Sequence, residues 1–445
     1  MLMDATNSIL TQIDSAFQKS SGVTTDTRMA EQGKLFFALK GERFDGNEFA
    51  LQALSAGCIL AIVDDPIIAG QSDLCLEVPD VLIALQSLAH LHRSRWKFPV
   101  IGLTGSNGKT TTKELLLAVL QTTFSKTFAT RGNLNNHIGV PLTLLEIPQD
   151  ADMAIVEMGA NAQGEIAELA QIAEPTHGVI LNIGEAHLEG FGGMQGVLKG
   201  KRELFRYFEQ PHSRGVEVFV HAGQPVLIEI SNSLKRTLYG TTEHPPFIQE
   251  SKSQDHELTW QGHKNQIWGP LKPKITGQHN HENMMTAVAI GRYFGVSPSA
   301  CSLAIESYDP NNNRSQWHQT DRNLLLLDAY NANPSSMSTA LKHFASTLET
   351  TAFPGICILG DMGELGDFAT EAHERLLHAA VDLNLVVWTV GPLFAKAAGE
   401  NNQNVRAFQD IESARIAISQ ETWNERHILL KGSRSIALER LVNEL

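Results

Sequence analysis

Along most of the chain, short uninterrupted apolar runs alternate with longer stretches in which apolar positions recur every three or four residues. The short runs fit strands buried on both faces, and the periodic stretches fit amphipathic helices. Their alternation predicts α/β units with largely parallel sheets. Strands are expected at 35–39, 58–63, 100–104, 153–158, 179–183 and 216–220, with helices over 81–93 and 110–121. The pattern breaks at 257–275, where two β-like runs, 258–260 and 266–268, flank a polar stretch and predict a hairpin. A helix is expected over 283–294, with Met284, Ala287, Val288, Gly291 and Phe294 on one face. The α/β alternation then restarts, with strands at 324–327, 355–359, 386–390 and 428–430 and helices at 336–347, 369–381 and 411–419.

Two interruptions divide this pattern. Arg93-Ser-Arg-Trp-Lys-Phe-Pro99 reads as a linker, and Asp309-Pro-Asn-Asn-Asn313 reads as a hinge. A length of 445 residues, at roughly 150 residues per domain, agrees with a division into three domains: 1–97, 98–312 and 313–445.

Charge narrows the partners. With 35 basic and 49 acidic residues the formal net charge is −14, which disfavours a nucleic-acid binder, since that affinity rests on surplus Lys and Arg. Cys58, Cys75, Cys301 and Cys357 have no CxxC spacing, so neither a disulfide framework nor a thiolate zinc site is expected. The first residues lack the basic-then-apolar pattern of a signal peptide, and no apolar run nears the length of a membrane span. The expectation is a cytoplasmic protein with no membrane partner, acting on small molecules.

The strongest chemical signal is Thr104-Gly-Ser-Asn-Gly-Lys-Thr110, set between a predicted strand and a predicted helix. Its glycines let backbone N–H groups approach phosphate oxygens, and the following helix presents its positive end. Gly105, Ser106, Asn107, Gly108, Lys109, Thr110 and Thr111 are therefore candidate nucleotide contacts. Lys109 falls at the β- and γ-phosphates, and the Thr110 hydroxyl at Mg²⁺. The loop departs from a strict Walker A motif, which has glycine where Leu103 stands.

Glu157 ends a predicted strand at the sheet edge where α/β proteins bind ligands. A single carboxylate there suits Mg²⁺, which takes few protein ligands. His187 follows another strand end, and its neighbours Glu185 and Glu189 are read as solvated. Lys199 and Lys201 open a probable helix. The segment 130–143 carries three asparagines, costly to bury without partners, among them Asn135 and Asn136. His279 and Asn283 lie four apart on one helix face if that helix begins early, and an Asn amide can pair bidentately with adenine.

The shortened Gly-x-x-Gly-Lys-Thr loop resembles that of the Mur ligases and folylpolyglutamate synthetases, ATP-dependent ligases that join an amino acid or peptide to a carboxylate. Thr24-Thr-Asp-Thr-Arg28, Gly33-Lys-Leu-Phe-Phe-Ala-Leu-Lys-Gly41 and Asp45-Gly-Asn-Glu-Phe49 resemble the Mur module that holds the UDP end of a UDP-muramoyl peptide, although Asn47 replaces a common His. Three more segments extend the likeness: Asp328-Ala-Tyr-Asn-Ala-Asn-Pro334, Gly360-Asp-Met-Gly-Glu-Leu-Gly366 and Gly132-Asn-Leu-Asn-Asn136. Together these look most like the branch of the Mur ligases that adds the terminal dipeptide.

The resemblance implies a central phosphate-loop, parallel-sheet ATPase flanked by a small α/β amino-terminal domain and a Rossmann-like carboxy-terminal domain. It implies ligation of D-alanyl-D-alanine to UDP-MurNAc-tripeptide through an acyl phosphate and a tetrahedral intermediate, with ATP and two Mg²⁺ ions, by a monomer. Lys109, Glu157, His187 and Lys201 would be catalytic, with Thr110, Glu157, His187 and a carbamylated Lys201 on the metal side. His279, Asn283, Arg314, Asp328 and Asn331 would contact ATP. Thr25, Asp26, Thr27, Arg28, Phe36 and Lys40 would contact the UDP end, with Phe36 on uracil. Asn135 and Asn136 would bind the muramoyl or peptide portion, and Asn333, Ser335 and Ser336 the incoming dipeptide. Two alternatives stay open at this level: a Mur-type ligase adding the third stem residue, and a nucleotide-gated binding protein without ligase activity.

Overall fold

The computed structural model describes residues 2–250, 257–262, 264, 266–310, 316–399 and 404–445. Its described strands form three principal sheets. The amino-terminal domain is built on a parallel sheet in the order Val23–Thr24, Leu35–Phe37, Leu60–Val63, Cys75–Glu77. The central sheet is parallel throughout, in the order Arg236–Tyr239, Glu217–His221, His177–Ile180, Val100–Thr104, Met153–Glu157, Thr127–Ala129. The carboxy-terminal sheet runs Gln316–Gln319, Leu324–Asp328, His427–Lys431, Gly355–Gly360, Val386–Val390, Val405–Phe408, with only the first strand antiparallel to its neighbour. The expected α/β class with three domains is borne out.

The central strands read as continuous apolar runs because both faces are covered. All five residues of Val100–Thr104 and of Met153–Glu157 are buried, as expected for a parallel sheet between helical layers. The predicted strand at 179–183 ends sooner, at Ile180. Residues 181–184 instead turn to the phosphate loop: Ser106 N–H donates to the Asn182 carbonyl at 3.1 Å, and Gly184 N–H donates to Ser106 Oγ at 2.9 Å. The hairpin forms from Leu258–Gln261 and Ile267–Leu271 and gains a third antiparallel strand, Phe247–Glu250. The helix expected from 283 starts five residues earlier, as Gln278–Tyr293. Of the predicted hinge, residues 311–313 lie outside the described residues.

The predicted linker at 93–99 is a packed joint. Arg93 is fully buried, ending the helix Val81–Ser94, and donates to the carbonyls of Ala173 at 2.7 Å and Glu174 at 2.5 Å. Those carbonyls belong to the open end of the helix Glu165–Ala173 and its cap, where backbone acceptors lack intrahelical partners. Trp96 is buried and stacks on Phe98 at 4.8 Å. The basic and aromatic residues of this stretch therefore fasten the amino-terminal domain to the central one. All four cysteines are buried and unpaired.

Replacing Arg93 by Met keeps most of the stem volume but strands both carbonyls. Loss of two charge-assisted hydrogen bonds is expected to destabilise the joint by about 3 kcal/mol, read as a lower urea midpoint for Arg93→Met than for wild type.

Candidate active site

The register of the central sheet assembles the site. Leu103 pairs with Glu157 across adjacent parallel strands, so the carboxylate stands beside the turn that follows Thr104. That turn enters the helix Lys109–Gln121 through Gly108, whose φ is +79°, a conformation side-chain-bearing residues adopt only at a cost. Space forbids a side chain as well, because a Cβ on Gly108 would stand 2.4 Å from Asn283 Oδ1. Asn107 N–H donates to Asn182 Oδ1 at 2.9 Å. Lys109 Nζ reaches the carbonyls of Gly105 and Ser106 at 2.8 and 3.2 Å.

Glu157 is 1% exposed. Its Oε1 accepts from Asn135 Nδ2 at 2.8 Å and from Thr110 Oγ1 at 3.3 Å. Its Oε2 has no hydrogen-bond donor; the nearest cation is the equally buried Lys113, 3.9 Å away. Burying a charge is costly unless it is paired, so this orphaned oxygen beside a threonine hydroxyl fits a divalent cation completed by water and phosphate oxygens. Among the described residues no cluster of three or more His, Cys, Asp or Glu forms a protein-only metal cage.

A cavity of about 340 Å³ opens here. Ser106 through Thr111, Asn135, Asn136, Glu157, His187, His279 and Asn283 line it from the central domain. Asp328, Asn331, Asn333 and Ser336 line it from the carboxy-terminal domain. Ser335 lines an adjoining cavity of about 880 Å³. Lys201 lies behind the wall, fully buried, donating weakly to the Ala160 carbonyl at 3.4 Å. Burial, and the nearby charge of Lys109, hold its ammonium well below the ordinary lysine range. His279 is pushed down to about 4 by burial, which makes it a neutral imidazole. Arg314 lies outside the described residues.

The two domains touch around this cavity. Asn333 Nδ2 donates to Asn107 Oδ1 at 2.8 Å, and Glu185 N–H donates to Ser335 Oγ at 2.7 Å. His187 Nδ1 contacts the Glu364 carboxylate, and Arg375 pairs with Glu185 at 2.5 Å. Glu185 is thus an interdomain partner rather than a solvated residue, while Glu189 is exposed.

One expected contact needs correction, and several other candidates also hold structural roles. Phe36 is 1% exposed and packs inside the amino-terminal core with Ala38, Ala50 and Ala53, so no uracil can stack on it. Asn283 accepts from Thr112 Oγ1 at 3.0 Å and donates to Asn280 Oδ1 at 3.1 Å. It thereby braces the phosphate loop while lining the cavity. Asn136 Oδ1 accepts the N–H groups of Ile138 and Gly139, capping the next helix. Asn333 and Ser336 form a capping box at the start of the helix Pro334–Leu348, and the Ser335 hydroxyl accepts the Glu185 N–H; all three still line the cavities. The UDP-end candidates lie away from this cavity. Arg28 projects into solvent and pairs with Asp26 at 2.6 Å, between the half-buried Thr25 and Thr27. Lys40 pairs with Asp64 at 2.9 Å.

Sequence reasoning missed three contributors. Lys431 is 2% exposed and pairs with Asp328 at 2.6 Å. Its signal was its place at a strand end, next to Gly-Ser. Lys113 sits one helical turn beyond Lys109, the spacing that returns a side chain to the same face. Glu364 lay within a quoted motif but only the tertiary structure gives it a partner.

Three α/β domains, a short phosphate loop and a buried carboxylate at the neighbouring strand end define a ligase of the Mur type, and the chain belongs to the Mur ligase family. Models of the family's catalytic domain, middle domain and glutamate ligase domain match residues 19–93, 103–291 and 313–434. The chain is 35% identical, over 95% of its length and 93% of theirs, to the UDP-N-acetylmuramoyl-tripeptide–D-alanyl-D-alanine ligase of Bacillus subtilis. It is 33% identical, with the same coverages, to the enzyme of that name from Escherichia coli. A crystal structure of MurF from Acinetobacter baumannii superposes with a TM-score of 0.84 at 33% identity, over 98% of both chains.

Gly108→Ala combines a forbidden φ with a clash against Asn283. The variant is expected to bind ADP at least about tenfold more weakly than wild type by calorimetry, the loss that follows from about 1.4 kcal/mol of strain.

Proposed function

We infer that the chain is an ATP-dependent amide ligase that joins D-alanyl-D-alanine to UDP-MurNAc-tripeptide, giving UDP-MurNAc-pentapeptide, ADP and phosphate in peptidoglycan precursor synthesis. The observation that carries this reading is the single cavity in which the phosphate loop and Glu157 face the loops of the carboxy-terminal sheet. Full-length likeness to ligases of that name selects the substrates. The absence, among the described residues, of a helix long and apolar enough to cross a membrane fits work in the cytoplasm. The family resemblance implies a monomer. We place the domain boundaries at 97/98 and 312/313.

A carboxylate resists attack by an amine because oxide is its leaving group. Transfer of the γ-phosphoryl group of ATP to the tripeptide carboxylate gives an acyl phosphate, whose leaving group is phosphate. The free amine of D-alanyl-D-alanine then attacks the acyl carbon. The tetrahedral intermediate collapses to the amide and expels phosphate. Lys109 and the amino-terminal end of its helix offset the negative charge of the transferring group. Thr110 and Glu157 would hold Mg²⁺, which supplies charge neutralisation at the phosphate oxygens.

Lys201 fits a further role. Burial disfavours the ammonium form of this amine, and the free amine is the nucleophile that carbon dioxide needs: the N–C bond forms, a proton leaves, and the side chain becomes an anionic carbamate. With that carbamate, His187 would complete the metal side. Asp328, Asn331 and Arg314 close on the nucleotide, and Arg28 and Lys40 meet the diphosphate of the UDP end.

Product analysis by mass spectrometry should show pentapeptide only when ATP, UDP-MurNAc-tripeptide and D-alanyl-D-alanine are all present. Turnover of free lysine or diaminopimelate on the shorter stem would instead identify a third-residue ligase. Lys109→Ala is expected to fold normally and lose about 100- to 1000-fold in kcat. Intact-mass measurement in bicarbonate should find one carbon dioxide on wild type and none on Lys201→Arg; an unmodified Lys201 in active protein contradicts the carbamate.

A further inference from the structure

The loop Gly360-Asp-Met-Gly-Glu-Leu-Gly366 is fastened almost residue by residue. The Asp361 carboxylate accepts the N–H groups of Leu393 at 2.9 Å and Phe394 at 2.8 Å, tying the loop to the helix Pro392–Ala398. Met362 and Leu365 are buried at 2% and 1% exposure. Met362 N–H donates to Nε2 of the fully buried His373 at 3.0 Å. Gly366, with φ +53°, lies against Glu189, where a Cβ would stand 3.0 Å from Cγ.

Glu364 is left to reach another domain. Its carboxylate meets His187 Nδ1, and its carbonyl accepts Glu189 N–H at 3.2 Å. Both contact residues are non-glycines in left-handed backbone, Glu364 at φ +61° and His187 at φ +54°. Such conformations persist where the surroundings over-determine them, and they concentrate at functional sites. His187 also lines the phosphate-loop cavity, so one imidazole links the carboxy-terminal loop to the reaction centre.

We propose that Glu364 is the positioning residue of His187: it accepts the Nδ1 proton, holds the ring in that tautomer, and leaves Nε2 free for the cavity. The hydrogen bond at one ring nitrogen sets what the other can do. Because Glu364 arrives on the carboxy-terminal domain, His187 becomes competent only when that domain is seated. The Arg375–Glu185 pair at 2.5 Å and the Glu185–Ser335 bond at 2.7 Å close the same seam. The inference rests on the ligase reading, which puts His187 on the metal side of the reaction centre.

The test uses the full chain with nitrogen-labelled histidine, His187→Gln serving to assign the ring signals. Glu364→Gly suits the left-handed backbone while removing the carboxylate, so loss of folding is not expected. Glu364→Gln retains an acceptor. Glu364→Gly should lose the Nδ1–H tautomer signature of His187. Its kcat should fall about 10- to 100-fold with KM for ATP within about twofold of wild type, and Glu364→Gln should recover most of the loss. Unchanged His187 ring signals in Glu364→Gly overturn the proposal whatever the activity. Altered signals with wild-type kcat overturn it too. Failure of wild type to form an amide contradicts the ligase reading instead, and the ring signals still decide the orientation.

Discussion

A buried carboxylate sets the terms for the rest of this protein. Glu157 places a carboxyl group at 1% exposure, where an uncompensated anion costs several kcal/mol. Thr110 and Asn135 satisfy one oxygen; the other meets only Lys113 at 3.9 Å. The carboxylate is held there by strand register, since Glu157 is paired with Leu103 at the root of the phosphate loop. Both strands must be buried for that register to hold, which is why the central sheet is apolar on both faces. The unsatisfied oxygen then creates a demand for a cation at the place where phosphates gather.

Burial disfavours the charged forms of the Lys201 amine and the His279 imidazole, the latter pushed down to about 4. The net charge of −14 does not describe the cavity, where Lys109 and Lys431 sit among asparagines. Closure by the carboxy-terminal domain is polar and local. It uses Asn333 on Asn107, Ser335 and Arg375 on Glu185, and Glu364 on His187, contacts that form and release more readily than an apolar interface.

The sequence was most legible where one residue's chemistry follows from its immediate neighbours. The phosphate loop, Glu157 and the strand ends at Asp328 and Lys431 fall where strand-to-helix patterns put them, and only Lys431 went unread. Reading failed where a side chain's partner is distant in the chain. The bracing role of Asn283 went unseen because Thr112 and the close approach of Gly108 lie about 170 residues away in sequence, a separation no local pattern encodes. Phe36 looked available for stacking, yet its three-residue strand is buried on both faces. Arg93 and Trp96 looked like a solvated linker because basic residues usually are; here the guanidinium closes a helix end. The helix Leu2–Phe17 was passed over, although Ile9, Ile13 and Phe17 recur at helical spacing.

On the proposed mechanism, this cavity activates a carboxylate by phosphorylating it. The most direct measurement uses UDP-MurNAc-tripeptide labelled with heavy oxygen in its reacting carboxylate, followed by mass analysis of the released inorganic phosphate. Acyl phosphate chemistry predicts one labelled oxygen in each phosphate formed with product. Phosphate free of label, with the amide still formed, would contradict it.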